Sequence, residues 1–96
     1  MSIDYKHVEG KEKAKVMLYA LSTCIWCKKT KNLLSDLGVD YYYVDVDMLE
    51  GNDKEEAVNE VKKFNAGGGF PTMVINDTDC ITGFDEEKIK EVFESE

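Results

Sequence analysis

A short apolar strand pattern that runs directly into a helix pattern constrains the fold of this chain more than any other feature. The segment "KVMLYAL", residues 15–21, is a continuous apolar run that suits a strand buried on both faces. From Cys24 onward apolar residues recur at helical spacing until Gly38, which suits a left-handed helix terminus. "YYYVDVD", residues 41–47, mixes aromatic and β-branched residues and predicts a second strand. A strand, a helix and a strand in this order predict a parallel crossover unit.

The rest of the chain predicts a helix, a hairpin and a final helix. Residues 53–65 place apolar side chains on one face of a charged helix, and a run of glycines ends it. Residues 70–84 contain two short apolar runs around a polar "NDTD" turn, which predicts a β-hairpin. Asp85 can cap a last helix. The predicted order is β-α-β-α-β-β-α, and the first 14 residues predict either a short extra strand around "IDYKHV" or a loose tail.

Composition and charge limit the function classes. The chain of 96 residues, with 43% hydrophobic and 33% charged residues, is expected to form a single domain with a modest core. A net charge of -8 argues against a nucleic acid or an anionic membrane as partner. The sequence contains neither a long apolar run nor the apolar stretch of a secretory signal, so we expect a cytoplasmic protein.

The three cysteines are the candidate chemical groups. Cys24 and Cys27 have C-x-x-C spacing, which fits a metal site, a structural disulfide or a redox couple. An odd number of cysteines in a reducing compartment disfavours a permanent disulfide framework. A closed zinc site needs four ligands, and the remaining candidates, Cys80 and His7, lie far apart in sequence and in different elements. Cys80 is most simply a small buried residue on the hairpin.

The position of the C-x-x-C pair favours the redox couple. Cys24 stands at a predicted helix N-terminus, where unpaired backbone N–H groups and the helix dipole favour a thiolate. Cys27 lies one turn further in, close enough to attack a mixed disulfide formed on Cys24. The sequence therefore predicts that Cys24 attacks a disulfide and that Cys27 resolves the intermediate.

Two features beside the pair leave alternatives open. Trp26 either offers an apolar platform to a partner or packs against the first helical turn. Lys28, Lys29 and Lys31 either add positive charge that acts on the thiols or form a solvated helix face, which is at least as good an interpretation for Lys31.

The chain resembles the glutaredoxin family of the thioredoxin fold. The resemblance covers residues 15–94 and is carried by the strand, the C-x-x-C that opens a helix, and Phe70-Pro71-Thr72 at the start of a hairpin. It implies an α/β fold with a four-stranded mixed sheet flanked by three helices, in one domain over residues 1–96. Residues 1–14 would be an N-terminal extension of undecided structure.

The resemblance also implies a substrate site. In the family the proline that matches Pro71 is cis and faces the two thiols, and the backbone of the residue before it pairs with a bound peptide or glutathione. The cysteines that would form the redox-active disulfide are Cys24 and Cys27. The implied substrate-binding residues are Trp26, Phe70, Pro71, Thr72, Gly83 and Phe84.

Three departures from the family pattern bear on the electron donor. Leu21 stands where many glutathione-using members carry a lysine, Ile25-Trp26 replaces the common Pro-Tyr, and Phe84 replaces the second glycine of a Gly-Gly pair. A single glycine followed by Phe is closer to thioredoxin-like glutaredoxins, which take electrons from a reductase protein and reduce ribonucleotide reductase. The long acidic segment after residue 46 resembles glutaredoxin-like proteins of archaea.

These observations predict a monomeric thiol-disulfide oxidoreductase that acts on disulfide-containing proteins. The resemblance implies no tightly bound cofactor, and a reductase protein and glutathione are rival electron sources. The alternative is an iron-sulfur or metal carrier, because some family relatives hold a cluster between two chains through the first cysteine of each and glutathione. A resolving Cys27 argues against that alternative.

Overall fold

The computed structural model describes residues 3, 5–12 and 14–94. Five strands and three α-helices follow one another along the chain, with a short 3₁₀ turn after the third strand. They are β1 (Lys6–Val8), β2 (Val16–Ala20), α1 (Ile25–Asp36), β3 (Tyr41–Asp45), the 3₁₀ turn (Val46–Met48), α2 (Gly51–Phe64), β4 (Thr72–Ile75), β5 (Asp79–Thr82) and α3 (Glu86–Glu94).

The strands form one mixed sheet in the order β1-β3-β2-β4-β5. β2 and β3 are parallel, as the crossover through α1 requires, and every other neighbouring pair is antiparallel. The predicted thioredoxin-like α/β fold and its three helices are confirmed.

The predicted count of four strands is wrong, because β1 adds a fifth strand to the edge of β3. Val8 is paired with Tyr41 and Lys6 with Tyr43, so the extra-strand alternative holds within the segment "IDYKHV". His7 stacks on Tyr42 with ring centroids 4.4 Å apart, and its Nε2 lies 2.8 Å from Asp40 Oδ1. The pairing of β1 with β3 uses backbone groups that β3 would otherwise leave unpaired.

The core lies on both faces of the sheet. α1 and α3 cover one face and contribute buried residues that include Cys27, Leu34, Ile89 and Phe93. α2 covers the other face, mainly through Ala57 and Val61. No helix in the part of the chain that the structure describes is long and apolar enough to cross a membrane.

Candidate active site

Cys24 caps the N-terminus of α1. It has extended backbone angles (φ -87°, ψ 120°), and its Sγ accepts a hydrogen bond from the backbone N–H of Cys27 at 3.2 Å. Its own N–H donates to the Leu21 carbonyl at 3.3 Å, which forms a tight turn between β2 and the helix. The predicted helix start at the first cysteine is therefore confirmed, with the sulfur in the place that a capping oxygen usually takes.

Cys27 lies in a very different environment from Cys24. Cys24 is half-buried, whereas Cys27 has no exposed surface and its Sγ accepts a 3.4 Å hydrogen bond from the Leu21 N–H. Burial, together with a hydrogen bond to Cys24, raises the pKa of Cys27 to about 12 against smaller lowering effects of the Leu21 N–H and the Lys31 charge. Both cysteines are free thiols in this structure.

A series of contacts connects the first turn of α1 to the Phe70-Pro71 segment. The Trp26 ring stacks on Phe84 with centroids 6.0 Å apart and an angle of 25° between the planes. The residue before Phe84 is Gly83, which has a φ of +76° and donates its N–H to the Pro71 carbonyl at 2.8 Å. The Phe70-Pro71 peptide bond is cis. These contacts link the start of α1, which carries the cysteine pair, to the end of β5 and the start of β4.

The predicted site residues of the Phe70 segment differ in exposure. Phe70 is half-buried, whereas Pro71 and Thr72 are fully buried. The Thr72 hydroxyl donates to the Gly69 carbonyl at 2.7 Å and accepts from Asn65 Nδ2 at 3.3 Å. Thr72 and Asn65 therefore hold the loop that carries Phe70, and substrate contact through Pro71 or Thr72 stays a prediction.

Ile25 and Trp26 form an exposed apolar surface beside Cys24. Their exposed fractions are 64% and 54%. The Lys29 ammonium lies 4.8 Å from the centre of the Trp26 ring, a distance typical of a cation–π contact. Trp26 packs against Phe84, which lies outside the first helical turn, and leaves about half of its surface exposed. Its use as a platform for a partner stays a prediction.

Lys31 differs from its two neighbouring lysines. Lys28 and Lys29 are exposed, as expected for a solvated helix face. Lys31 is largely buried, and its Nζ lies 2.9 Å from Asp45 Oδ1 and 4.2 Å from the centre of the Tyr43 ring. The solvated-face alternative is therefore wrong for Lys31.

Ser22 and Asp47 form a contact that the sequence analysis missed. The Ser22 N–H donates to Asp47 Oδ1 at 2.8 Å, and its hydroxyl donates to Oδ2 at 2.6 Å. These bonds lower the pKa of the Asp47 carboxyl. They tie the turn before Cys24 to the 3₁₀ turn after β3. The only sequence signal is a Ser that follows one strand pattern and an Asp that ends the next.

Asp47→Asn is expected to lower the free energy of unfolding at neutral pH. The substitution removes the negative charge of the carboxylate that accepts both hydrogen bonds from Ser22. The lowered pKa means that this stabilisation is present above the ordinary carboxyl pKa and is lost as the pH falls through the lower folded value. The free energies of unfolding of the wild type and the variant, measured in urea, should therefore differ at pH 7 and converge as the pH falls below the ordinary carboxyl pKa. Asp79→Asn removes an exposed carboxylate on β5 and is the control for the general effect of losing one negative charge. A difference between Asp47→Asn and the wild type that does not change with pH would contradict this account.

Cys80 and His7 lie at opposite edges of the sheet. The Cys80 thiol is half-buried on β5 and donates to the Phe64 carbonyl at 3.1 Å, whereas His7 pairs with Asp40 beside β1. Among residues 3, 5–12 and 14–94, no group of three or more His, Cys, Asp or Glu side chains is placed to share a metal ion.

A thioredoxin-like sheet in which a C-x-x-C pair begins the helix after a central strand defines the structural class of thiol oxidoreductase folds. Comparison with known proteins then gives the family. The family model for glutaredoxin matches residues 16–80, and the chain belongs to the glutaredoxin family.

Solved structures and a curated relative agree with this assignment. A crystal structure of a glutaredoxin from Methanosarcina mazei is 56% identical, covers 93% of this chain and 86% of its own, and has a TM-score of 0.87. Methanoredoxin from Methanosarcina acetivorans is 50% identical over 88% of each chain, with a TM-score of 0.85. A glutaredoxin-like 8.6 kDa protein in a rubredoxin operon of Clostridium pasteurianum is 32% identical over 79 residues, which is 82% of this chain and 97% of that protein. The resemblance to archaeal glutaredoxins is confirmed.

Proposed function

We propose that this protein reduces disulfides with Cys24 as the attacking thiol and Cys27 as the resolving thiol. The observation that supports this order most strongly is the difference in access between the two sulfurs. Cys24 is half-buried at the helix N-terminus, whereas Cys27 has no exposed surface. A disulfide in another protein can therefore approach Cys24, and Cys27 can react only after the substrate sulfur is attached there.

The reaction is a pair of thiol-disulfide exchanges. The Cys24 thiolate attacks one sulfur of the substrate disulfide, forms a mixed disulfide, and expels the other sulfur as a thiolate that takes a proton. Cys27 then loses its proton and attacks Cys24 Sγ, which forms the Cys24–Cys27 disulfide and expels the second substrate thiolate. The substrate gains two electrons and two protons, and an external reductant returns the pair to the dithiol.

The substrates proposed are disulfide-containing proteins rather than small disulfides alone. Ile25 and Trp26 present exposed apolar surface next to Cys24. Exposed apolar and aromatic side chains of this kind often anchor protein–protein interfaces. Phe70 packs against the same core cluster as Cys24, and its backbone is the group proposed to pair with an extended substrate segment. Ribonucleotide reductase, as the resemblance to thioredoxin-like glutaredoxins implies, is one such substrate.

A reductase protein is the proposed electron donor, in preference to glutathione. Leu21 packs its apolar side chain against the core on the α2 face, so this position offers no positive charge to a glutathione carboxylate. Phe84 stacks on Trp26 where glutathione-using relatives leave room with a second glycine. Both departures remove contacts that the family pattern would supply.

The oxidised protein is therefore expected to be reduced readily by dithiothreitol but very slowly by reduced glutathione. The Leu21→Lys, Phe84→Gly double variant restores the family pattern and is expected to raise the glutathione rate by about tenfold or more, the effect of one charge-assisted hydrogen bond. Stopped-flow measurement of dithiol formation gives both rates, and dithiothreitol is the control for general accessibility. Rapid reduction of the wild type by glutathione would contradict the proposed donor. Visible iron-sulfur bands in protein purified without oxygen would favour the carrier alternative instead.

A further inference from the structure

The ion pair between Lys31 and Asp45 lies beside the resolving cysteine. Lys31 follows Cys27 by four residues on α1, so the two side chains project from the same face of the helix. The exposed fractions of the Lys31 and Asp45 side chains are only 21% and 23%, and their charged atoms are 2.9 Å apart. Asp45 and the Tyr43 ring hold the ammonium from β3. Because the pair is largely buried, water and salt screen it less than a surface charge.

The sheet register places this pair near the Cys27 sulfur. Asp45 is the register partner of Ala20 in the parallel β2–β3 pair. The next residue, Leu21, donates its N–H to Cys27 Sγ. Cys27, Lys31 and Asp45 thus all lie where α1 crosses the ends of β2 and β3.

The other surroundings of Cys27 carry little charge. The charged and titratable groups that act on its thiol are Cys24, at the start of the helix, and Lys31. The core around Cys27 is otherwise formed by apolar side chains of the sheet, α1 and α3. Two tyrosines belong to that core. Tyr41 is hydrogen-bonded to Ser35 near the other end of α1, and Tyr43 contacts the Lys31 ammonium. Lys31 is therefore the cation placed to compensate a negative charge on Cys27.

Resolution requires such a charge. In the mixed disulfide Cys24 carries the substrate, and Cys27 must release its proton to solvent before its sulfur can attack Cys24 Sγ. Burial makes that thiolate unfavourable, and the Lys31 ammonium opposes the effect of burial.

We propose that Lys31, held in place by Asp45 and Tyr43, is a positioning residue for the second exchange, where its charge stabilises the Cys27 thiolate and sets the rate of resolution. This inference rests on the proposed roles of Cys24 and Cys27. It assigns Lys31 to resolution only, since the first attack uses the Cys24 sulfur at the helix N-terminus.

Reaction with DTNB, an aromatic disulfide that releases a yellow thiolate, separates the two steps. Attack by Cys24 releases the first thiolate, and attack by Cys27 on the resulting mixed disulfide releases the second. Stopped-flow absorbance follows both phases between pH 6 and pH 9 in a Cys80→Ser background, which removes the third thiol. The variants are Lys31→Met, Lys31→Arg and the control Lys28→Met, which removes an equal charge from an exposed position one residue after Cys27.

Lys31→Met is expected to slow the second phase about three- to tenfold at neutral pH and to displace its rate–pH line to higher pH, with little change in the first phase. Lys31→Arg and Lys28→Met are expected to stay within about twofold of the parent protein. An unchanged second phase in Lys31→Met, or an equal loss in Lys31→Arg, would overturn the proposal, because the charge would then have no role. Absence of a second phase in the parent protein would instead overturn the assignment of Cys27, so the two failures are distinguishable.

Discussion

Cys24→Ser is expected to abolish disulfide reduction, with a rate loss of at least about a thousandfold, because a serine hydroxyl stays protonated at neutral pH and does not replace a thiolate. Cys27→Ser is expected to behave differently. Its Cys24 still attacks, but nothing resolves the product, so mixed disulfides with the substrate accumulate. Insulin reduction measures the rate loss, and intact mass measures the trapped adduct.

Cys80→Ser is the matched control for these two variants. Its hydroxyl retains a donor for the Phe64 carbonyl, and we expect activity close to that of the wild type. Adducts that form in Cys24→Ser but not in Cys27→Ser would reverse the roles of the two thiols.

Phe93→Ala is expected to lower the free energy of unfolding by about 3–5 kcal/mol, the range for a fully buried phenylalanine. Phe93 is 1% exposed on α3 and belongs to the same core as Cys27 and Leu34 of α1. The free energy of unfolding of a typical domain is about 5–15 kcal/mol, so this loss would be a large fraction of the total. Urea unfolding measures this loss. The slope of the unfolding free energy against urea concentration is expected to be the same in the variant and the wild type.

Val92→Ala on the same helix is the control for Phe93→Ala. Val92 is 39% exposed, so its truncation removes less buried surface and is expected to cost less than about 1 kcal/mol. Equal losses in the two variants would contradict this account, because the cost would then not depend on how deeply each side chain of α3 is buried.

The elements around the cysteine pair could be predicted from the sequence because their signals are local. The apolar run before Ser22, the helical spacing after Cys24 and the terminus at Gly38 each depend on neighbouring residues. The helix start and the parallel crossover followed from them. The cis state of Phe70-Pro71 was different, since the residues left it open and only the family resemblance implied it.

The contacts that the sequence analysis missed join residues from separate elements. Ser22 and Asp47 meet because β2 and β3 end side by side, and Lys31 meets Asp45 because α1 crosses that edge of the sheet. Each side chain alone is compatible with a solvated surface. Their pairing depends on register and packing, which a pattern along one chain does not contain. β1 was not firmly predicted for the same reason: its pairing with β3 joins two separate segments of the chain.

The central claim is that Cys24 and Cys27 form a reversible redox couple, and a redox titration tests it most directly. The protein is equilibrated with dithiol buffers of graded potential, its free thiols are alkylated, and each form is quantified by mass. We predict one two-electron transition with a midpoint between roughly −270 and −200 mV, in which Cys24 and Cys27 lose their thiols together while Cys80 is alkylated throughout. Independent oxidation of the two cysteines, or a disulfide that includes Cys80, would contradict the account.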